Sequence, residues 1–89
     1  MTPSAHEIQE WIRARVSSLT GVAVEAIDVR ASVTRFGLDS VALVALAADL
    51  EKWLGYRFRA NPLDDYPTIE ALSRFLAEQV GGGGLESRL

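Results

Sequence analysis

The sequence predicts an all-α domain, a small four-helix bundle of three long helices and one short, with a long loop between helices one and two. Apolar residues recur at spacings of three and four over three separate stretches, as on one face of a helix. Capping residues and glycines bound those stretches. The one strand-like segment, Tyr56 to Phe58, has nothing after it to pair with. A length of 89 residues corresponds to one domain, and a domain of that size buries only about 60% of its unfolded surface, so its stability is modest.

The first helix begins near Ser4, a candidate N-cap, with Glu7 three positions on completing a capping-box pattern. Ile8, Trp11, Ile12, Val16 and Leu19 form its apolar face, and Thr20-Gly21 ends it. From Val22 to Phe36 the periodicity is lost, although Val24, Ile27, Val29 and Val33 keep the segment apolar. This reads as a long loop packed on the helices by those side chains, with a short turn at Ser32 to Arg35. Loops of this length in small domains are usually functional.

The second helix is expected from Ser40 to Leu54, with Asp39 as N-cap and Gly55 as stop. Leu43, Leu46, Ala47, Leu50, Trp53 and Leu54 make its buried stripe. Gly37 is placed where a side chain would penalise the backbone. Asn61-Pro62 marks a turn and Leu63 to Tyr66 the short helix. Pro67-Thr68 then breaks the chain, and Thr68 caps the last helix, whose inward stripe is Ile69, Leu72, Phe75, Leu76 and Val80. Trp11, Phe36, Trp53 and Phe75 read as core aromatics. Residues 4–80 form the domain, and 81–89 are a flexible glycine-rich linker and tail.

Composition narrows the function. The net charge is −3, without a basic stripe, which argues against nucleic acid as a partner. There is no cysteine and one histidine, His6, so neither a disulfide framework nor a metal site is expected. No apolar stretch reaches membrane-spanning length, and Met1-Thr2-Pro3-Ser4 is not a signal peptide. The expectation is a cytoplasmic monomer that engages no membrane.

The most informative feature is Gly37-Leu38-Asp39-Ser40 at the mouth of the second helix. Ser40 there offers a hydroxyl beside unpaired backbone N–H groups and the positive end of the macrodipole, where a phosphate is favoured. A serine so displayed suits attachment of a phosphate-linked group.

Phe36-Gly37-Leu38-Asp39-Ser40 with Val41 behind it, Tyr66-Pro67-Thr68-Ile69 with Leu72, and the order helix, long loop, helix together resemble the acyl carrier proteins, specifically the carrier domains of modular (type I) polyketide synthases. The resemblance covers about Ile8 to Val80. It implies that Ser40 receives 4′-phosphopantetheine from coenzyme A through a separate phosphopantetheinyl transferase with Mg²⁺. The hydroxyl would attack the β-phosphorus, leaving a phosphodiester, and the distal thiol would hold acyl intermediates as thioesters. Such a domain catalyses nothing itself and raises local substrate concentration by tethering.

Carried over residue by residue, Asp39 matches the acidic residue before the serine, and Leu38 an exposed apolar contact for partners. Val41, Ala45, Ala48, Asp49 and Lys52 lie on the outer side of the second helix by helical geometry, where family members meet transferase, ketosynthase and acyltransferase. Free-standing carriers are rich in acid on that helix; here only Asp49 and Glu51 are acidic, which implies a flatter, more apolar contact. Peptidyl carriers, the nearest relatives, typically have His before the serine, so Asp39 favours an acyl cargo.

Two other classes remain. A serine hydrolase would need His6 as the base for Ser40, although His6 lies near the start of a separate helix. A docking or scaffold bundle would carry no prosthetic group. Leu46 and Leu50 read as core rather than as an acyl channel, and Asp64 and Asp65 as an exposed loop rather than a metal site.

Overall fold

The computed structural model describes residues 3–83. Three α-helices carry the fold: α1 (Ala5–Thr20), α2 (Ser40–Leu54) and α3 (Ile69–Ala77). Each begins on an expected cap. Ser4 Oγ accepts from Glu7 N at 3.1 Å while Ser4 N donates to Glu7 Oε1 at 2.8 Å, a reciprocal capping box. Thr68 Oγ1 accepts from Ala71 N at 3.2 Å. Gly21 and Gly55 end α1 and α2 in the left-handed region, at φ 80° and 67°.

The expected fourth helix at 63–66 is instead a single 3₁₀ turn, Pro62–Asp64. Asn61 caps it through Leu63 N at 3.0 Å, and Tyr66 N reaches back to Pro62 O at 2.9 Å. Pro67 then stops it, since the residue before a proline is driven out of the α region. The architecture is therefore a three-helix bundle with 3₁₀ turns at Val24–Ala26, Val33–Phe36 and Pro62–Asp64. Beyond α3 the backbone continues as a wide π-type turn, Glu78–Gly83, so the glycines expected to open a linker begin as a continuation of the last helix. Residues 84–89 of the expected tail lie outside the described residues.

Two contacts set the run of α1 against α2. Arg15 Nε donates to Asp49 Oδ2 at 2.8 Å, with Nη2 on the same oxygen, and Trp11 stacks on Trp53 with ring centroids 5.0 Å apart. The later residue of α1 meets the earlier residue of α2, so the helices are antiparallel. Trp53, expected in the buried stripe, is 41% exposed; its ring lies across the seam to Trp11 instead of entering the core. Leu19 and Val24, also expected to pack inward, are exposed.

Ile8, Ile12 and Val16 of α1, Leu46 and Leu50 of α2, and Ile69, Leu72 and Leu76 of α3 are wholly buried. Those are the positions with the three- and four-residue spacing. The long loop adds Ile27 and Val33 and is tied by its backbone to the start of α3. Glu70 N donates to Val29 O and Val33 N to Pro67 O, each at 2.9 Å. The first bond also satisfies one of the amides that a helix start leaves without an internal partner.

Candidate functional site

Four residues build the approach to α2. The turn Val33–Phe36 closes with Gly37 N donating to Thr34 O at 3.2 Å, and Gly37 sits at φ 86°. A Cβ there would meet nothing within 4 Å, so conformation and not space requires glycine. Gly37→Ala should therefore lower stability by about 1–2 kcal/mol, the cost of a left-handed alanine; a chemical denaturation midpoint matching the parent's would contradict this.

Leu38 follows and enters the core, only 6% exposed. This corrects its expected role as an exposed partner contact. Phe36, half-buried, and Leu38, buried, anchor the chain on either side of Gly37. Asp39 is then extended, at φ −89° and ψ 179°, with its carboxylate accepting from Ala42 N at 2.8 Å and its carbonyl from Leu43 N at 2.9 Å. Removing the cap by Asp39→Ala should cost about 0.5–2 kcal/mol. It should also fray the first turn, which carries Ser40. Equal melting temperatures would show that the cap contributes nothing.

Ser40 is the first residue of α2 and is exposed. The amides of Ser40 and Val41 have no carbonyl within the helix to bond, and no acidic residue lies in the first turn of α2. The carboxylate of the adjacent Asp39 is held on Ala42 N. A phosphodiester on the Ser40 oxygen would thus face positive helix-end charge. The residues fit a phosphate-linked group.

The outer side of α2 carries Val41 (76% exposed), Val44 (62% exposed), Ala45, Ala48 and Lys52. Sequence reasoning missed Val44, although it lies four residues after Ser40 and so on the same face. Asp49, expected on this side, instead faces α1 through its bond to Arg15.

His6 is remote from Ser40. Arg15 lies nine residues after His6, and Asp49 nine after Ser40. With the helices antiparallel and the Arg15–Asp49 pair as pivot, a rise of about 1.5 Å per residue separates the two by about 27 Å. A Ser-His pair cannot form across that distance. Among the described residues no group of three His, Cys, Asp or Glu side chains could hold a metal ion, and no helix is long and apolar enough to cross a membrane.

A small helical scaffold thus holds an exposed alcohol at the start of α2. The family model described as the phosphopantetheine attachment site matches residues 10–76, and the chain belongs to that family. It is a phosphopantetheine-binding carrier protein. Over 76 residues it is 34% identical to the acyl carrier protein TtuC of Teredinibacter turnerae, covering 85% of this chain and 87% of that protein. It is 24% identical over 74 residues to a phenolphthiocerol/phthiocerol polyketide synthase of Mycobacterium tuberculosis, covering 83% of this chain but only 4% of that protein. Among solved structures, a free-standing peptidyl carrier protein from Acinetobacter baumannii superposes with a TM-score of 0.80 at 31% identity. That match covers 86% of this chain and 96% of the other. The three-helix fold is thus the carrier-protein fold. Carriers of this kind are modified by phosphopantetheinyl transferases and work with synthase domains.

Proposed function

We propose that this chain is an acyl carrier domain that tethers polyketide intermediates as thioesters on a 4′-phosphopantetheine arm attached to Ser40, and presents them to partner enzymes. The observation that carries this is the exposed Ser40 hydroxyl at the N-terminus of α2, in a first turn free of acidic side chains. Asp39 orients it by holding the turn, and the amides of Ser40 and Val41 stabilise the negative phosphodiester. The arm, once attached, supplies the thiol that carries the acyl group. Val41, Val44, Ala45, Ala48 and Lys52 offer the face on which transferase, ketosynthase and acyltransferase dock; Leu38 lies in the core.

Asp39 before the serine and the relatives named as acyl carrier and polyketide synthase support an acyl cargo. A peptidyl cargo is the second reading, favoured by the likeness to the Acinetobacter peptidyl carrier. Incubation with coenzyme A, Mg²⁺ and a broad-specificity phosphopantetheinyl transferase should give one adduct by intact mass, mapped to Ser40 by peptide fragmentation. The loaded protein should then accept a malonyl group from an acyltransferase in preference to an aminoacyl group from an adenylation domain. The reverse preference would transfer the assignment to peptide synthesis, and an adduct elsewhere would overturn Ser40.

A further inference from the structure

The chain between α2 and α3 lies along α2 as a strap held at three points. Glu51 accepts from Phe58 N at 2.6 Å, Asn61 Nδ2 donates to Leu43 O at 3.4 Å, and Tyr56 Oη donates to Gln79 Oε1 at 3.2 Å. The later strap residue, Asn61, meets the earlier residue of α2, so the strap runs back toward the Ser40 end of that helix.

Two depressions flank the strap. The first, of 320 Å³, has Val44, Ala47 and Ala48 of α2 on one side and Phe58, Ala60 and Asn61 on the other. Glu51 closes it at the end remote from Ser40, with its carboxylate already on Phe58 N. The second, of 240 Å³, shares Phe58, Ala60 and Asn61 and continues to Tyr56, Tyr66 and Phe75. Four aromatic side chains therefore line one cavity, and none of them is fully buried. Tyr66 and Phe75 stack with centroids 4.4 Å apart, and Tyr56 and Phe58 meet edge to face at 5.7 Å. Arg59 and Asp65 also line it, one cation and one anion, which leaves no net charge to hold an ionised ligand.

These depressions are continuous with the attachment serine. Exposed Val44 and the adjoining Ala47 lie about 6 and 10 Å along α2 from Ser40. An extended 4′-phosphopantetheine arm, built like a short stretch of backbone, reaches about 15 Å. Its distal end can thus pass Val44 and cross the strap at Ala60, the small exposed residue common to both depressions. Leu46 and Leu50, wholly buried, line neither depression, so a group resting here leaves the core closed.

We propose that this strap surface is the resting site of the acyl group carried on Ser40, and that its aromatic walls select an uncharged aromatic acyl group over a saturated alkyl one. This rests on the carrier reading above. An apolar cavity of about 150 Å³ is enough for a benzene ring. Rings gain from stacked and edge-on contact with aromatic walls, which an alkyl chain does not. The three hydrogen bonds fix the walls in advance, so little ordering accompanies binding.

The test loads the full chain from coenzyme A, benzoyl-coenzyme A or hexanoyl-coenzyme A with a broad-specificity phosphopantetheinyl transferase and compares the products by NMR. The benzoyl ring should show nuclear Overhauser contacts to the Tyr66 and Phe75 rings and shift the Ala60 and Asn61 amides, with the Leu46 and Leu50 methyl resonances unmoved. The hexanoyl chain should give weaker effects at the same positions. Ala60→Trp should load as fully as the parent with the same circular dichroism, and lose the ring contacts by filling the crossing. Benzoyl shifts confined to the first turn of α2, or shifts at Leu46 and Leu50, would overturn the proposed site. Ring contacts that survive Ala60→Trp would do so as well. Equal effects from hexanoyl and benzoyl groups would overturn the aromatic preference. A parent chain that takes no adduct from coenzyme A would overturn the carrier reading itself, a result distinct from all of these.

Discussion

Ser40→Ala is expected to abolish loading with 4′-phosphopantetheine while leaving the bundle folded. The substitution removes the one oxygen that can accept the phosphoryl group at the head of α2, and no neighbouring residue replaces it: Asp39 is committed to its cap and Val41 has no nucleophile. The fold has little reason to change. Ser40 is exposed and alanine is the best helix former, and the cap belongs to Asp39. Intact mass after transferase treatment and far-ultraviolet circular dichroism form the decisive pair. Full loading of the alanine variant would place the attachment elsewhere. Lost loading with lost helix content would make Ser40 a structural residue.

The second large effect lies in the core. Leu46 is wholly buried, at 0% exposure, in the same cluster as Ile8, Ile12 and Leu72. Leu46→Ala should destabilise by about 2–5 kcal/mol, the transfer cost of the lost methyl groups plus the cavity left behind. For a domain of this length that is a large share of a total of roughly 5–13 kcal/mol. The melting temperature should fall by at least about 8 °C, at about 4–8 °C per kcal/mol. An unchanged melting temperature would remove Leu46 from the core. Because the side chain is fully enclosed, it supports α2 from within, opposite the exposed stripe of that helix.

Much of this is readable from local pattern. The caps at Ser4, Asp39 and Thr68 and the stops at Gly21 and Gly55 depend on side chains and backbone angles within a turn of one another, so nearby residues suffice to infer them. The buried stripes of the three helices follow from spacing alone. Ser40 follows from the same logic, since a cap at Asp39 makes the next residue the first of the helix. The fourth helix fails because Leu63 to Tyr66 has helix-compatible residues but lies between Pro62 and Pro67, which leave room for a single turn. Trp53 departs from its stripe because spacing cannot say that a ring at the edge will stack on a ring of another helix.

Leu38 and Asp49 show where local reading stops. Analogy of motif makes Leu38 an exposed contact. Only the packing of the long loop, tied through Val29 and Val33 to the start of α3, turns it into the core. Asp49 lies on the outer side by helical angle, and only the antiparallel approach of α1 brings Arg15 to claim it. The order of elements, the helix ends, the core stripes and the displayed serine are properties of the chain itself, because each rests on interactions within a few residues. Which side chains of α2 remain for a partner, and what charge they show, is decided by the fold, because it depends on groups as far apart in sequence as Arg15 and Asp49 meeting in space.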